Sequence, residues 1–330
     1  MENSFQCLLV SESASGYTSE LTTKTIADLP EEDVLIRVRY SSLNYKDALS
    51  ASGNRGVTRR YPHTPGIDAA GVIETSNHPG WSIGDKVIVT GFDLGMNTSG
   101  GFAQYIRVPA SWVVKLPEGL TLRESMIYGT AGFTAGLSVA ALRKNGVTPN
   151  KGSIAVTGAT GGVGSIAVAI LHRLGYSVTA ITGKATSHDF LTSIGASEIV
   201  NRSDIDDPSG KVLLKPRFAG AIDTVGGTIL ATLLKSVHYG GTVTACGMVN
   251  GGELQTTVFP FILRGIQLAG IDSVEFPIEE RAAIWSHLAT DWKPETLATL
   301  AHEIGLADLP DAIQTILNGK MQGRALVRMD

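Results

Sequence analysis

The sequence predicts an α/β protein in two parts, an N-terminal β module followed by a doubly wound parallel sheet. Three observations carry that prediction. The run Ile154-Ala155-Val156-Thr157-Gly158-Ala159-Thr160-Gly161-Gly162-Val163-Gly164-Ser165 reads as a buried strand, a glycine-rich turn and the start of a helix. Strand and helix signals then alternate for about a hundred residues, the pattern of parallel strands joined by crossover helices. Ahead of them, Val34–Tyr40 alternates, with Val34, Ile36, Val38 and Tyr40 on one face and Leu35, Arg37 and Arg39 on the other, a half-buried strand.

In the first part, Asp68–Glu74 and Lys86–Thr90 are further short strands, separated by the Gly/Pro/Asn-rich turns Ser76–Gly84 and Gly91–Gly101. Phe102–Pro109 and Trp112–Leu116 continue the pattern. From Ser125 the spacing becomes helical through Leu142, broken near Gly129–Gly132, and Pro149 ends the segment. The alternation then runs through strand Ser153–Thr157, a helix from Ser165 to Leu174, strand Ser177–Ile181, a helix near Ser187–Ile194 and strand Glu198–Val200. It continues with strand Gly220–Thr224, a helix near Ile229–Val237 and strands Gly241–Cys246 and Gly265–Ile271. Ile278–Leu288, Pro294–Ile304 and Leu309–Asn318 are expected to be helical, and Arg324–Arg328 a final strand.

Composition narrows the function classes. A 330-residue chain with 43% hydrophobic and 18% charged residues is an ordinary globular protein, long enough for two domains. A net charge of −4 gives no electrostatic reason for nucleic-acid binding. Cys7 and Cys246 are the only cysteines, too few for a disulfide framework or a four-cysteine zinc site. No apolar run reaches bilayer length, and Met1–Leu21 lacks the pattern of a secretory signal. A cytoplasmic protein with no membrane partner is expected.

The glycine run lies between two strands in one βαβ-sized unit, where its turn and the following helix N-terminus suit a pyrophosphate. The end of the next strand, where many NAD sites carry an acid, reads Thr182-Gly183-Lys184. With a hydroxyl, a glycine and a cation there and no carboxylate to repel a 2′-phosphate, NADPH is favoured over NADH. Arg202, just after the third strand, is a second candidate cation, or a solvated loop arginine.

Longer runs sharpen the reading: Ser41-Ser42-Leu43-Asn44-Tyr45-Lys46-Asp47-Ala48, Pro65-Gly66-Ile67-Asp68, Gly129-Thr130-Ala131-Gly132-Phe133-Thr134-Ala135, Gly220–Gly226, Pro260–Arg264 and Gln322-Gly323-Arg324. On these the chain resembles the medium-chain dehydrogenase/reductase superfamily, specifically the quinone-oxidoreductase-like branch that contains NADPH-dependent acryloyl-CoA reductases. The resemblance implies a GroES-like catalytic domain over residues 1–124, a Rossmann NADPH-binding domain over 125–270 and a C-terminal return to the catalytic domain over 271–330. It also implies a zinc-independent enzyme. The first zinc ligand of alcohol dehydrogenases falls in Leu43–Tyr45, which has no cysteine, and their His-Glu pair corresponds to Ile67-Asp68. His63 nearby is one histidine and makes no site alone.

The implied reaction passes hydride from NADPH to the activated C=C of an α,β-unsaturated acyl-CoA, acryloyl-CoA to propanoyl-CoA. Tyr45, Asn44 and Asp47 are the catalytic candidates, with Tyr45 either a hydrogen-bond donor beside the nicotinamide or a structural tyrosine. Lys46 and Asp47 are expected to form a local charged pair. Cofactor contacts are implied at Tyr45, Thr134, Thr160, Gly161, Gly162, Val163, Met248, Ile262, Ser273 and Arg324, besides Thr182, Gly183, Lys184 and Arg202. Asp223 either faces the cofactor or is a buried structural acid. Arg55, Arg59 and Arg60 cluster in one loop; Arg59 and Arg60 are candidate contacts to coenzyme A, or parts of a solvated basic loop. Reduction of quinones or other enones and enals is the nearest alternative, and a non-catalytic NADPH-binding protein the alternative from another class. Strand Gly265–Ile271 at a sheet edge predicts a homodimer.

Overall fold

The computed structural model describes residues 4–329; Met1, Glu2 and Asn3 of the Met1–Leu21 stretch, and Asp330, lie outside the described residues. The chain divides into two compact units, the first made of residues 1–130, 274–289 and 301–330, the second of 131–273 and 290–300.

The first unit begins with a hairpin of β1 (Ser4–Ser13) and β2 (Gly16–Thr25), paired along its whole length. Next come β3 (Val34–Leu43), helix α1 (Tyr45–Ala51), β4 (Asp68–Ser76), β5 (Lys86–Thr90), β6 (Tyr105–Val108) and β7 (Val114–Lys115). Helix α2 (Leu122–Lys144) is broken at Gly129, whose φ of 51° and ψ of −156° are not helical. Contrary to the expectation that no apolar run reaches bilayer length, it has the length and apolar composition of a membrane span, but 83% of that window is buried, as in a core helix.

The second unit alternates as expected: β8 (Ile154–Thr157), α3 (Gly162–Arg173), β9 (Val178–Thr182), α4 (His188–Ser193), β10 (Glu198–Asn201), β11 (Phe218–Asp223), α5 (Gly227–Ser236), β12 (Val237–Ala245), α6 (Phe259–Arg264) and β13 (Gln267–Gly270). Among the described residues these strands form one parallel sheet in the order β10-β9-β8-β11-β12-β13. Read in chain order that is 3-2-1-4-5-6, the doubly wound arrangement in which ligands bind beyond the carboxyl ends of the strands. β8 and β9 are buried at every position because helices cover both faces.

The chain returns to the first unit through α7 (Ile278–Ala289), β14 (Ala301–Gly305), α8 (Leu309–Leu317) and β15 (Arg324–Arg328). The sheet there runs β14-β15-β3-β4-β5-β7, and β6 pairs with Val34–Arg37 on the same edge of β3 that β15 takes at Tyr40–Leu43. Its core packs Val34, Ile36, Val38, Val87, Val89, Phe102, Ala325 and Val327.

Two expectations need correcting, and one hairpin had none. Pro294–Ile304 is not a helix: a short turn at Leu297–Leu300 precedes β14, which is drawn into extended form by pairing with β15. Residues 290–300 also belong to the second unit rather than to an unbroken return, because Trp292, Leu297 and Leu300 are buried and the Arg143 guanidinium lies 5.7 Å over the Trp292 ring. The β1–β2 hairpin received no assignment, since β2 is polar and largely exposed and so lacks a readable apolar face.

Candidate functional site

In the first unit, β3 ends at Leu43 and the chain turns into α1 through Asn44, the N-cap, with φ −119° and ψ 161°. Asp47 closes this start from the third helical position. Its Oδ2 accepts from the Asn44 N–H at 2.7 Å and its Oδ1 from the Ile67 N–H at 2.8 Å. The expected charged pair with Lys46 therefore does not form; the carboxylate faces inward and caps the helix. Burial and the neighbouring Asp68 charge push the Asp47 carboxyl up to about 7. Tyr45, at the first helical position, is 43% exposed.

Beneath this turn lies a buried polar hub. Asp68 opens β4 and accepts from Ser42 Oγ at 2.6 Å, Asn44 Nδ2 at 2.8 Å, Thr130 Oγ1 at 2.6 Å and the Thr130 N–H at 2.9 Å. Arg324, on β15, donates from Nη1 to Leu43 O and Asn44 Oδ1 and from Nε to Ile127 O. Both ends of the Asn44 amide are thus held. Gly129 is required here: a Cβ would stand 2.3 Å from Asp68 Oδ2 and 2.4 Å from Ser42 Oγ.

In the second unit, Gly158 has φ +56°, and a Cβ there would meet Thr224 Oγ1 at 2.4 Å. Gly164 lets the helix pack against the strand end, since its Cβ would meet Gly158 O at 2.3 Å. Between them Thr160 is buried, Gly161 is the N-cap of α3, and Gly162 and Val163 begin the helix, where N–H groups have no intrahelical acceptor. Asp223 braces this turn from below. It accepts from Thr157 Oγ1 and the Gly226 N–H, each at 2.7 Å, and burial raises its carboxyl above the ordinary value. It is a buried structural acid.

At the end of β9, Thr182 Oγ1 accepts from the Lys184 N–H at 3.0 Å. The Arg202 guanidinium lies flat against Gly183, its Nη2 3.5 Å from where a Cβ would be. Burial holds the Lys184 ammonium below its usual value. Thr134 Oγ1 donates to Ser273 Oγ at 2.9 Å, joining two expected contacts. Met248 and Ile262 are both exposed.

Against known families, residues 30–118 match the alcohol dehydrogenase GroES-like domain and residues 162–289 the zinc-binding dehydrogenase domain. YhfP of Bacillus subtilis, which bears a quinone-oxidoreductase name, is 46% identical over 100% of both chains. The chain belongs to the quinone-oxidoreductase-like branch of the medium-chain dehydrogenase/reductase superfamily. Acrylyl-CoA reductase AcuI of Ruegeria pomeroyi, another member, is 44% identical over 98% of each chain. Among solved structures of the superfamily, the yhdH oxidoreductase of Salmonella enterica in complex with NADP has a TM-score of 0.96 at 45% identity, covering 98% of this chain and 100% of that one. B. subtilis yhfP with NAD bound also scores 0.96, at 47% identity, covering 98% and 99%.

The superfamily includes zinc enzymes, and the described residues do not assemble a ligand set for that metal. Among the described residues no three metal-ligating side chains converge. Asp68 is committed to the hub, and His63 is buried with Nε2 2.9 Å from Gly95 O.

Arg324, expected at the cofactor, is 2% exposed and bonded within the first unit. Arg55 leaves the arginine cluster, its guanidinium 2.6 Å from Glu12 Oε1; Arg59 and Arg60 remain exposed. The sequence reading missed the hub role of Asp68, although a lone acid opening the apolar run Asp68-Ala69-Ala70-Gly71-Val72-Ile73 was a visible signal.

Proposed function

We propose that the protein is a zinc-independent, NADPH-dependent reductase of the activated C=C bond of an α,β-unsaturated acyl-CoA, with acryloyl-CoA reduced to propanoyl-CoA. The observation that carries the cofactor half is the end of β9, where the Arg202 guanidinium lies against Gly183 between Thr182 and Lys184 and the sequence has no carboxylate at these positions to repel a 2′-phosphate. The full-length likeness to AcuI supports the substrate half.

In this reading Gly161, Gly162 and Val163 present backbone N–H groups to the pyrophosphate, and Thr182, Lys184 and Arg202 hold the 2′-phosphate. When bound, NADPH supplies the hydride that reaches the β carbon of the substrate. Tyr45 donates a hydrogen bond to the thioester oxygen, where negative charge develops as the enolate forms. The Asn44–Asp47 cap and the Asp68–Arg324 hub fix the turn that presents Tyr45, which limits the reorganisation needed during the reaction. A proton finally arrives at the α carbon. Arg59 and Arg60 contact the phosphates of coenzyme A.

A second reading, reduction of quinones or simple enones, is favoured by the quinone-oxidoreductase name of YhfP. The discriminating experiment compares kcat/KM for acryloyl-CoA, a benzoquinone and but-3-en-2-one, each with NADPH and with NADH. Preference for acryloyl-CoA with NADPH supports the proposal. A higher value for the quinone overturns its substrate half, and preference for NADH its cofactor half.

A further inference from the structure

We infer that Glu12 and Arg55 form a latch between the β1–β2 hairpin and the loop over residues 52–61, and that this latch holds Arg59 and Arg60 ready for the phosphates of a coenzyme A ester. The inference rests on the proposed acyl-CoA reading and assigns a specificity role to two residues outside the reaction.

The hairpin end and the loop meet over a small set of groups. Arg55 Nη2 lies 2.6 Å from Glu12 Oε1, and Tyr17, directly across the hairpin from Glu12, donates its hydroxyl to the same oxygen at 2.8 Å. Arg55 Nη1 donates to Arg59 O at 2.7 Å, so the ion pair grips the backbone of the residue it serves. The Arg55 guanidinium also sits 5.2 Å over the Tyr61 ring, which packs 4.8 Å from the Tyr17 ring. Gly53, at φ +85°, is needed because a Cβ there would lie 2.0 Å from Tyr17 Cε2. On the far side the Arg59 N–H donates to Asn97 Oδ1 at 3.2 Å.

Two adjacent guanidinium groups are therefore exposed on a loop fastened from both sides, and among the described residues neither has an ion-pair partner. Loop residues normally lose entropy when they order on a ligand; here the ordering is already done. Glu12 neutralises Arg55 alone, so the loop keeps two uncompensated charges for a polyphosphate.

The test uses Glu12→Gln, Arg55→Met and the reversed pair Glu12→Arg/Arg55→Glu. Two quantities are measured on the NADPH-saturated protein: the Kd of coenzyme A, and kcat and KM for acryloyl-CoA and but-3-en-2-one. Each single variant should raise the coenzyme A Kd and the acryloyl-CoA KM by about two- to fivefold, the scale of an exposed ion pair. Values for kcat and for but-3-en-2-one should not change, and the reversed pair should recover only the part of the loss due to the ion pair, because a carboxylate at position 55 cannot donate to Arg59 O. Unchanged coenzyme A binding in both single variants overturns the latch even if acryloyl-CoA is the substrate, as does an equal loss for the small enone. If the unaltered protein binds coenzyme A through the latch but prefers a quinone, the acyl-CoA reductase reading fails and the latch stands. No binding of coenzyme A overturns both.

Discussion

The Arg324 guanidinium and the Asp68 carboxylate lie 3.7 Å apart with almost no access to solvent, 3% and 0% of their side chains exposed. They join β15 to β4 across β3, and both also hold Asn44 at the entrance to α1. Among the described residues Arg324 Nη2 has no hydrogen-bond partner, so the ion pair is what compensates its charge. Removing one partner strands the other in a low-dielectric interior. Asp68→Asn should therefore destabilise the protein by about 3–5 kcal/mol in urea unfolding. Adding Arg324→Met to it should cost less than the sum of the single changes, and strict additivity would show that the pair is not coupled.

The cofactor preference is testable at β9. Lys184→Ala and Arg202→Ala should each raise the KM for NADPH by about ten- to a hundredfold, the scale of a lost charge-assisted hydrogen bond of about 1.5–3 kcal/mol. The weaker NADH activity should stay nearly constant. Parallel loss with both nucleotides would point to damage of the fold instead.

How much of this was legible in the sequence differs between the two units. The glycine turn and the strand–helix alternation were readable because backbone conformation at Gly158 and close packing at Gly164 demand particular residues locally. The hub was not readable as a unit. Ser42 with Asn44, Asp68, Thr130 and Arg324 come from four widely separated stretches of the chain, and only sheet pairing and the break at Gly129 bring them together. The Lys46–Asp47 pairing failed for a related reason: adjacent residues at the start of a helix point in different directions, and the N-cap N–H competes for the carboxylate.

Asp47 makes stability depend on pH in a defined sense. Its folded value of about 7 lies above the ordinary 3.8, so between those values the folded state keeps a proton that the unfolded chain has released. The stabilisation is complete at low pH and is lost as pH rises toward and through about 7. Urea midpoints at pH 5 and pH 8 should show the unaltered protein losing stability relative to Asp47→Asn. Midpoints that move in parallel would mean that the group titrates normally.

Chelation should leave turnover intact. After exhaustive dialysis against EDTA, activity should match the untreated enzyme, and the purified protein should contain no stoichiometric zinc. Activity lost on chelation and restored by zinc would refute the metal-free chemistry.

Assembly should follow from β13, which pairs with β12 on one side only. A homodimer joined through this edge across a two-fold axis is expected in sedimentation at micromolar concentration, and Leu268→Lys should weaken it. A monomeric unaltered protein would exclude it.

The position of β15 has a consequence for biosynthesis. This strand lies between β14 and β3 in the first unit's sheet, although β3 is made nearly three hundred residues earlier. The second unit's sheet has all its strands once Gly270 has been synthesised. The N-terminal half of the first unit must meanwhile wait on the ribosome with one edge of β3 open from Tyr40 to Leu43, the stretch that leads into Tyr45. An unpaired edge of that kind invites wrong partners during synthesis. Nascent chains arrested before Ala325 should therefore depend on chaperones far more than the released protein, and the turn that carries Tyr45 should be the last part of the molecule to become ordered.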